Sequence, residues 1–255
     1  VVIGICAIIR DCRPEYITEW LQWHRKTGFS KFIIYDNDSI IPIKCSDNDV
    51  VVYRWHGRVQ QHLVYADQIR KQASTKYQHR CDWVAFIDDD EFIMVEDDNK
   101  TITDYIVNCE GDALGINWLL FGTSGIEKPF APQPEMFTMR AELNGILLPN
   151  NNTCHIKSII KTGKIVKVKN PHAFGCKTVG IFNNAIETHL TTQPTENGLW
   201  INHYWTRTKE DYQRKIKRGR ATCLKHRTME EFDIIETAST VKDTRASEKW
   251  KKWFR

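Results

Sequence analysis

The residues best suited to chemistry are four consecutive acids, Asp88-Asp89-Asp90-Glu91. They follow Trp83-Val84-Ala85-Phe86-Ile87, an apolar run without alternation, which predicts a strand buried on both faces as in a parallel sheet. Unpaired carboxylates cannot follow that strand into a core, because burial either costs dearly or neutralises them. Side chains alternate along a strand, so Asp88 and Asp90 face one side and Asp89 and Glu91 the other. The first pair offers hard oxygen ligands at the carboxyl edge of a central strand, where open α/β sheets take their ligands. Such a pair suits Mn²⁺ or Mg²⁺. A lone Asp-x-Asp is as readily a strand cap. The buried run before it and Glu91-Phe92 after it favour the metal.

Two more apolar runs end in polar clusters, one at Ile9-Arg10-Asp11 and one at Asp36-Asn37-Asp38-Ser39. In a parallel sheet these ends share the edge that carries Asp88. Asp36 could accept from the N–H of a nucleobase, and the helix start near Pro14 could approach an anion. Taken singly, each cluster is a turn cap. Later in the chain, His172 and His203 sit among aromatic, strand-like residues, and either imidazole could complete a divalent-metal shell. Arg207 and Lys209 follow His203 and could clamp a diphosphate leaving group, although a basic helix is equally a solvated face. No acid is marked by spacing as a general base. Glu127 is the first candidate and Glu135 the next, and each is equally a plain exposed acid.

These groups need elements to hold them. Strands are expected at Val1–Ile9, Lys31–Tyr35, Val50–Trp55 and 83–87, with helices starting at Pro14 and spanning Gln60–Tyr77. That alternation predicts a Rossmann-like, mostly parallel sheet. The second half is less regular. A short helix is expected at Ile102–Val107, strands at Ala113–Phe121, Ile156–Ile160, Lys164–Val168 and Gly198–Tyr204, and helices at Thr208–Gly219 and Ser247–Phe254. No repeat or linker interrupts the chain, which predicts one domain over 1–255.

The 255 residues suffice for a large core, and 41% hydrophobic with 27% charged residues excludes disorder. A net charge of +4 permits an anionic ligand but falls short of a nucleic-acid binder. The eight cysteines show no Cys-x-x-Cys spacing, which argues against zinc. No apolar run approaches a membrane span. The chain opens on Val1, so the lack of a leader ahead of it carries no weight.

Arg10-Asp11-Cys12-x-x-Glu15-Tyr16-x-x-Glu19-Trp20-Leu21-x-x-His24-x-x-x-Gly28, Tyr35-Asp36-Asn37-x-Ser39 and Trp83 to Phe92 together resemble glycosyltransferases of the GT-A fold. The likeness is greatest to family 92 and its family 2 relatives, and it extends from about residue 3 to residue 220. Trp118-x-x-Phe121-Gly122-Thr123-Ser124-Gly125 and His203-Tyr204-x-x-Arg207-Thr208 agree with it. The resemblance implies an α/β GT-A fold with a mixed, mainly parallel central sheet flanked by helices. Residues 1–100 would form the nucleotide-sugar half, 101–220 the acceptor half and 221–255 a helical extension. It implies a metal-dependent, inverting transfer from a nucleotide-sugar donor, a uridine diphosphate sugar first, to a glycan or glycoprotein. Asp36 would read the base, with Ile9, Arg10, Asp11, Asn37 and Asp89 alongside. Asp88 and Asp90 would serve ribose and metal, and His203 or His172 would complete the shell. The chain departs from the family where Arg10-Asp11-Cys12 replaces Lys-Asn-Glu and where Ile41 replaces an acid. The sequon Asn37-Asp38-Ser39 falls inside the expected donor site, which favours a cytoplasmic protein over one of the Golgi lumen. A glycoside hydrolase or a non-catalytic nucleotide-sugar or carbohydrate-binding module are the alternatives; the first would work in a chelator and the second would bind without turnover.

Overall fold

The computed structural model describes residues 1–58, 60–143, 146–148, 151–152, 154–220, 223–224 and 226–255. The first elements are β1 (Ile3–Ile9), α1 (Pro14–Lys26), β2 (Lys31–Asn37), β3 (Val50–Trp55), α2 (Gln61–Ala73), β4 (Trp83–Phe86) and β5 (Glu91–Val95). Next come α3 (Ile102–Ile106), β6 (Ala113–Leu120), α4 (Gln133–Met136), β7 (Met139–Arg140), β8 (Ile146–Leu148), β9 (Asn151–Asn152) and β10 (Ile156–Lys161). The last are β11 (Thr178–Val179), β12 (Ala185–Ile186), β13 (Leu199–His203), α5 (Lys209–Arg218), α6 (Met229–Ala238), β14 (Val241–Lys242) and α7 (Arg245–Phe254).

The uninterrupted apolar runs become the middle of one mixed, mainly parallel sheet. Its order is β12-β11-β6-β10-β4-β1-β2-β3, with β13 beside β6 and β5 beside β13. β4, β1, β2 and β3 run parallel. β10 enters antiparallel between β4 and β6, which aligns β6 with β4, and β13 lies parallel to β6. The carboxyl ends of β1, β2, β4 and β13 and the amino end of β10 therefore share one edge.

Both faces of the sheet are covered, which is why β1 lacks alternation. Ile3, Ile5, Ala7 and Ile9 join the core under α1, while Cys6 and Ile8 join the one under α2. α1 also protects an edge. β5 pairs only with β13, and α1 supplies partners for its outer side. Trp20 Nε1 donates to the Glu91 carbonyl at 2.9 Å and Trp23 Nε1 to that of Ile93 at 2.8 Å. α1 ends before Gly28, whose φ of +104° suits glycine; a Cβ there would lie 2.9 Å from Thr101 Cβ. The last residues pack inward too: Trp250 is buried, and the Trp253 ring lies 4.9 Å from that of Trp23. No helix among the described residues is long and apolar enough to cross a membrane.

His24 completes the edge cover and makes it pH-dependent. Its Nδ1 donates to the Trp20 carbonyl at 2.8 Å and its Nε2 accepts from Ile93 N–H at 3.2 Å, a pattern only the neutral ring can make. Burial lowers its pKa from 6.5 to about 3. Between those values the unfolded chain takes up a proton that the folded chain refuses, so this contribution falls as the pH falls. The slope is about 1.4 kcal/mol per pH unit. Urea denaturation at pH 7 and pH 5 should show a smaller difference for His24→Asn than for the wild type; equal differences would remove His24 as the cause.

Two expectations need correction. Lys164–Val168 forms no strand: Val166 and Val168 pack against the core under α2, and Val168 makes only an isolated bridge to Phe174. α2 stops at Ala73, before Tyr77, because Ser74 turns extended (ψ 126°). The strand β5, directly after the acids, was not anticipated.

Candidate active site

A cleft of about 500 Å³ opens at the shared edge. Its floor carries Asp88, Asp89 and Asp90, and its walls include Trp118, Lys157, His172, His203, Arg218 and Arg227. The turn after β4 aims the acids, and β5 then returns antiparallel to β13 with Glu91 opposite His203. That register brings His203 Nε2 to 3.4 Å from Asp90 Oδ1.

Every acid of the turn is held by a buried cation or amide. Asp88 accepts from Gln61 Nε2 at 2.6 Å and from Lys157 Nζ at 2.9 Å. Asp90 Oδ2 accepts from Lys215 Nζ at 2.5 Å. The Arg207 guanidinium lies 2.8 Å from Asp89 Oδ2. Glu91, fully buried, accepts from Asp88 N–H at 2.8 Å and lies 3.4 Å from Lys157 Nζ.

These surroundings set the ionisation. Burial works against the charge of Asp90, but Lys215 and then His203 hold its pKa well below the usual carboxylate range. Burial likewise opposes Asp89, and Arg207 overrides it. For Glu91 burial prevails over Lys157 and pushes the carboxyl well above its ordinary value. Burial also lowers the pKa of His203, against the pull of Asp90, which leaves an imidazole able to act as a ligand. His203 Nδ1 and Glu91 Oε1 face each other at 3.8 Å, and both are buried without a hydrogen bond.

The family model for glycosyltransferase family 92 matches residues 47–245, more than half of the chain and all of this site except its residues at the ends of β1 and β2. The chain belongs to that family. A glycosyltransferase family 92 protein of rice (Oryza sativa subsp. japonica) is 27% identical over 111 residues, which cover 41% of this chain and 18% of the rice protein. An active-site mutant of LgtC is similar at a TM-score of 0.29, with 13% identity over 47% of this chain and 45% of that one. Rv0371c of Mycobacterium tuberculosis is similar at 0.28, with 13% identity over 46% and 65%. Structural likeness this slight has no bearing on the site.

In this family 92 chain, the residues expected from sequence fall into three groups. Ile9, Arg10, Asn37, Asp88, Asp89, Asp90, His172 and His203 all line the cleft. Asp11 and Asp36 lie behind it with their carboxylates in use: Asp36 accepts from Ser39 and Ile43 N–H, and Asp11 from Ile40 N–H. The remaining four are off it. Arg207 is buried beneath the acidic turn, and Lys209 is exposed in the first turn of α5. Glu127 is exposed, and Glu135 pairs with Arg255 at 2.9 Å. Of the two histidines, His172 spends Nδ1 on the Ile156 carbonyl at 3.0 Å and sets its ring edge-on to Trp118. Only His203 approaches an acid of the turn.

Sequence reasoning gave no role to Gln61 or Lys157, which are 27 and 69 residues from Asp88. It also gave no role to Lys215. A signal existed, since Asp211, Lys215 and Arg218 fall on one face of α5 at helical spacing.

Proposed function

We propose that this chain is a metal-dependent glycosyltransferase that moves a sugar from a nucleoside diphosphate donor to a glycan hydroxyl, with inversion. The observation that carries this reading is the meeting of Asp88, Asp90 and His203 at one sheet edge, in a cleft otherwise rich in cations.

The residues present fit a divalent ion. Asp90 Oδ1 and His203 Nε2 stand 3.4 Å apart, close to the roughly 3 Å between neighbouring ligands of a six-coordinate ion. On its other nitrogen, His203 Nδ1 faces the buried Glu91 carboxyl at 3.8 Å without a hydrogen bond, which leaves Nε2 as the nitrogen set towards Asp90. Among the described residues no three His, Cys, Asp or Glu groups close on one point. Asp90 and His203 would therefore hold Mn²⁺ or Mg²⁺ together with phosphate oxygens and water. When bound, the ion would offset the charge that grows on the leaving diphosphate. Lys215 keeps Asp90 ionised, and Lys157 pairs with Asp88 at 2.9 Å.

One observation favours a non-catalytic nucleotide-sugar module instead. All three cleft carboxylates already have cation partners, and Glu127 and Glu135 stand off the cleft. Release of free sugar from a donor distinguishes the two readings.

A thermal-shift panel of nucleoside diphosphates and their sugars tests donor binding. With Mn²⁺ at least one uridine, guanosine or thymidine diphosphate should raise the midpoint by about 5 °C or more at a hundredfold excess over Kd. EDTA should shrink that shift. If no nucleotide shifts the protein with metal present, the proposal fails.

A further inference from the structure

The proposed transfer needs a group to take the proton of the attacking hydroxyl, and the carboxylates of the cleft are spent. Asp88, Asp89 and Asp90 each pair with a buried cation, Glu91 is fully buried, and Glu127 and Glu135 stand off the cleft. Imidazoles remain. Among the described residues four line the cleft: His155, His172, His203 and His226. His203 turns Nε2 to Asp90 at 3.4 Å, His155 is 6% exposed with its ring flat against Trp118, and His226 is exposed. His172 differs from all three in how it is held.

Its main chain is pinned on both sides. The His172 N–H donates to Asn170 Oδ1 at 2.8 Å, in a turn where Asn170 Oδ1 also accepts from Ala173 N–H, and its carbonyl accepts from Ser158 Oγ at 2.9 Å. The ring is fixed through Nδ1, 3.0 Å from the Ile156 carbonyl. Ile156 and Ser158 belong to β10, a buried strand in the middle of the sheet, so a rigid element sets the ring. A carbonyl can only accept, so Nδ1 carries the hydrogen and Nε2 keeps a lone pair. Burial, and then the Lys157 ammonium, hold the His172 pKa well below its ordinary value and so keep the ring neutral. Among the described residues nothing hydrogen-bonds Nε2, and the ring lines the cleft. A neutral imidazole oriented by a carbonyl on one nitrogen and open on the other is arranged as a general base. Its place suits the transfer. The Trp118 ring lies 5.1 Å from that of His172 and 4.4 Å from that of His203, so one indole separates His172 from the histidine beside Asp90.

We infer that His172, in place of a carboxylate, is the general base of the transfer. The acceptor hydroxyl gives its proton to His172 Nε2 as its oxygen bonds to the anomeric carbon. The bond from that carbon to the phosphate oxygen breaks, and its electron pair leaves on the diphosphate. The positive charge that grows on the imidazole is offset by the negative charge that grows on the diphosphate in the same cleft. Loss of the proton to water then resets the ring. This role rests on the inverting transfer proposed above.

Release of nucleoside diphosphate from uridine, guanosine and thymidine diphosphate hexoses tests this role, with Mn²⁺ present and with water and methyl glycosides as acceptors. His172→Ala should lower kcat by about a hundredfold or more, while the thermal shift given by the matching nucleoside diphosphate stays as in the wild type. Imidazole added to the buffer should restore release by His172→Ala in proportion to its unprotonated form, so rescue grows as the pH rises. His172→Gln can still donate to the Ile156 carbonyl but cannot take a proton, so it should be as slow, and it serves where His172→Ala fails to fold. Release by His172→Gln within about threefold of the wild type would overturn the base and leave the transferase reading standing. Slow release that imidazole cannot restore would likewise overturn it, reducing His172 to a wall of the cleft. Nucleotide that binds without release from any donor would overturn base and transferase together, in favour of the non-catalytic module. Absence of nucleotide binding would remove both as well.

Discussion

Asp90→Asn is expected to lower the rate of sugar transfer by about a thousandfold, the scale on which electrostatic stabilisation of a developing charge is lost. Asp90 is the one acid of the turn that faces both His203 and the cleft, and Lys215 keeps it ionised. The variant also disturbs stability. Lys215 is 4% exposed, and with Asp90 neutralised its ammonium keeps the Trp205 carbonyl at 2.6 Å but, among the described residues, no paired carboxylate. Breaking a buried ion pair from one side typically costs about 3–5 kcal/mol, because the surviving charge stays buried. Lys215→Met should cost a similar amount for the mirror-image reason. The double variant Asp90→Asn/Lys215→Met should therefore be more stable than the sum of the two losses allows, a coupling that urea denaturation can measure. Activity should not return with stability in the double variant. Asp90→Asn retaining transfer within tenfold of the wild type would end the assignment of Asp90 as a metal ligand.

What the sequence could show of this site depended on the distance between partners. β4 and its acids were legible because an unbroken apolar run followed by carboxylates has few other solutions. The inner face of α1 was legible for a similar reason, since Ile17, Trp20, Leu21 and His24 recur at helical spacing after Pro14. β5 was not, because Glu91 looked like the last member of an exposed acidic turn. The structure buries it as the first residue of a strand, against Lys157 from β10 and opposite His203 from β13. Burying that carboxylate needs partners that only the folded sheet supplies. The β-branched run Lys164-Ile165-Val166-Lys167-Val168 mimics a strand but finds no ladder. Arg207 and Lys209 looked like clamp residues because they follow His203. The chain instead turns sharply at Arg207 (φ +54°), and α5 then presents Lys215 and Arg218 about two and three turns later.

Arg207→Met should also cost about 3–5 kcal/mol of stability. The guanidinium is 3% exposed as a residue and joins four parts of the chain. It donates to the Asp89 carbonyl at 2.6 Å and to Gln133 Oε1 at 2.9 Å, approaches Cys12 Sγ at 3.6 Å, and lies 4.7 Å over the Tyr16 ring. Tyr16 in turn donates to Asp211 at 2.7 Å, and Asp211 accepts from Thr208 at the start of α5. Removing Arg207 leaves the Asp89 carboxylate buried and uncompensated, and frees the turn that aims Asp90. Arg207→Lys should recover little, because one ammonium cannot serve acceptors set around a planar fork. The loss should depend on pH in a definite direction. Arg207 holds Asp89 below the usual carboxylate range, so this contribution is complete above the unfolded value near about pH 4 and disappears as the pH falls through the folded value. The gap between wild type and Arg207→Met should accordingly be widest at neutral pH and narrow below about pH 4. Urea denaturation across that range measures it. A gap below about 1 kcal/mol at pH 7 would show that Arg207 is not what holds the acidic turn in place.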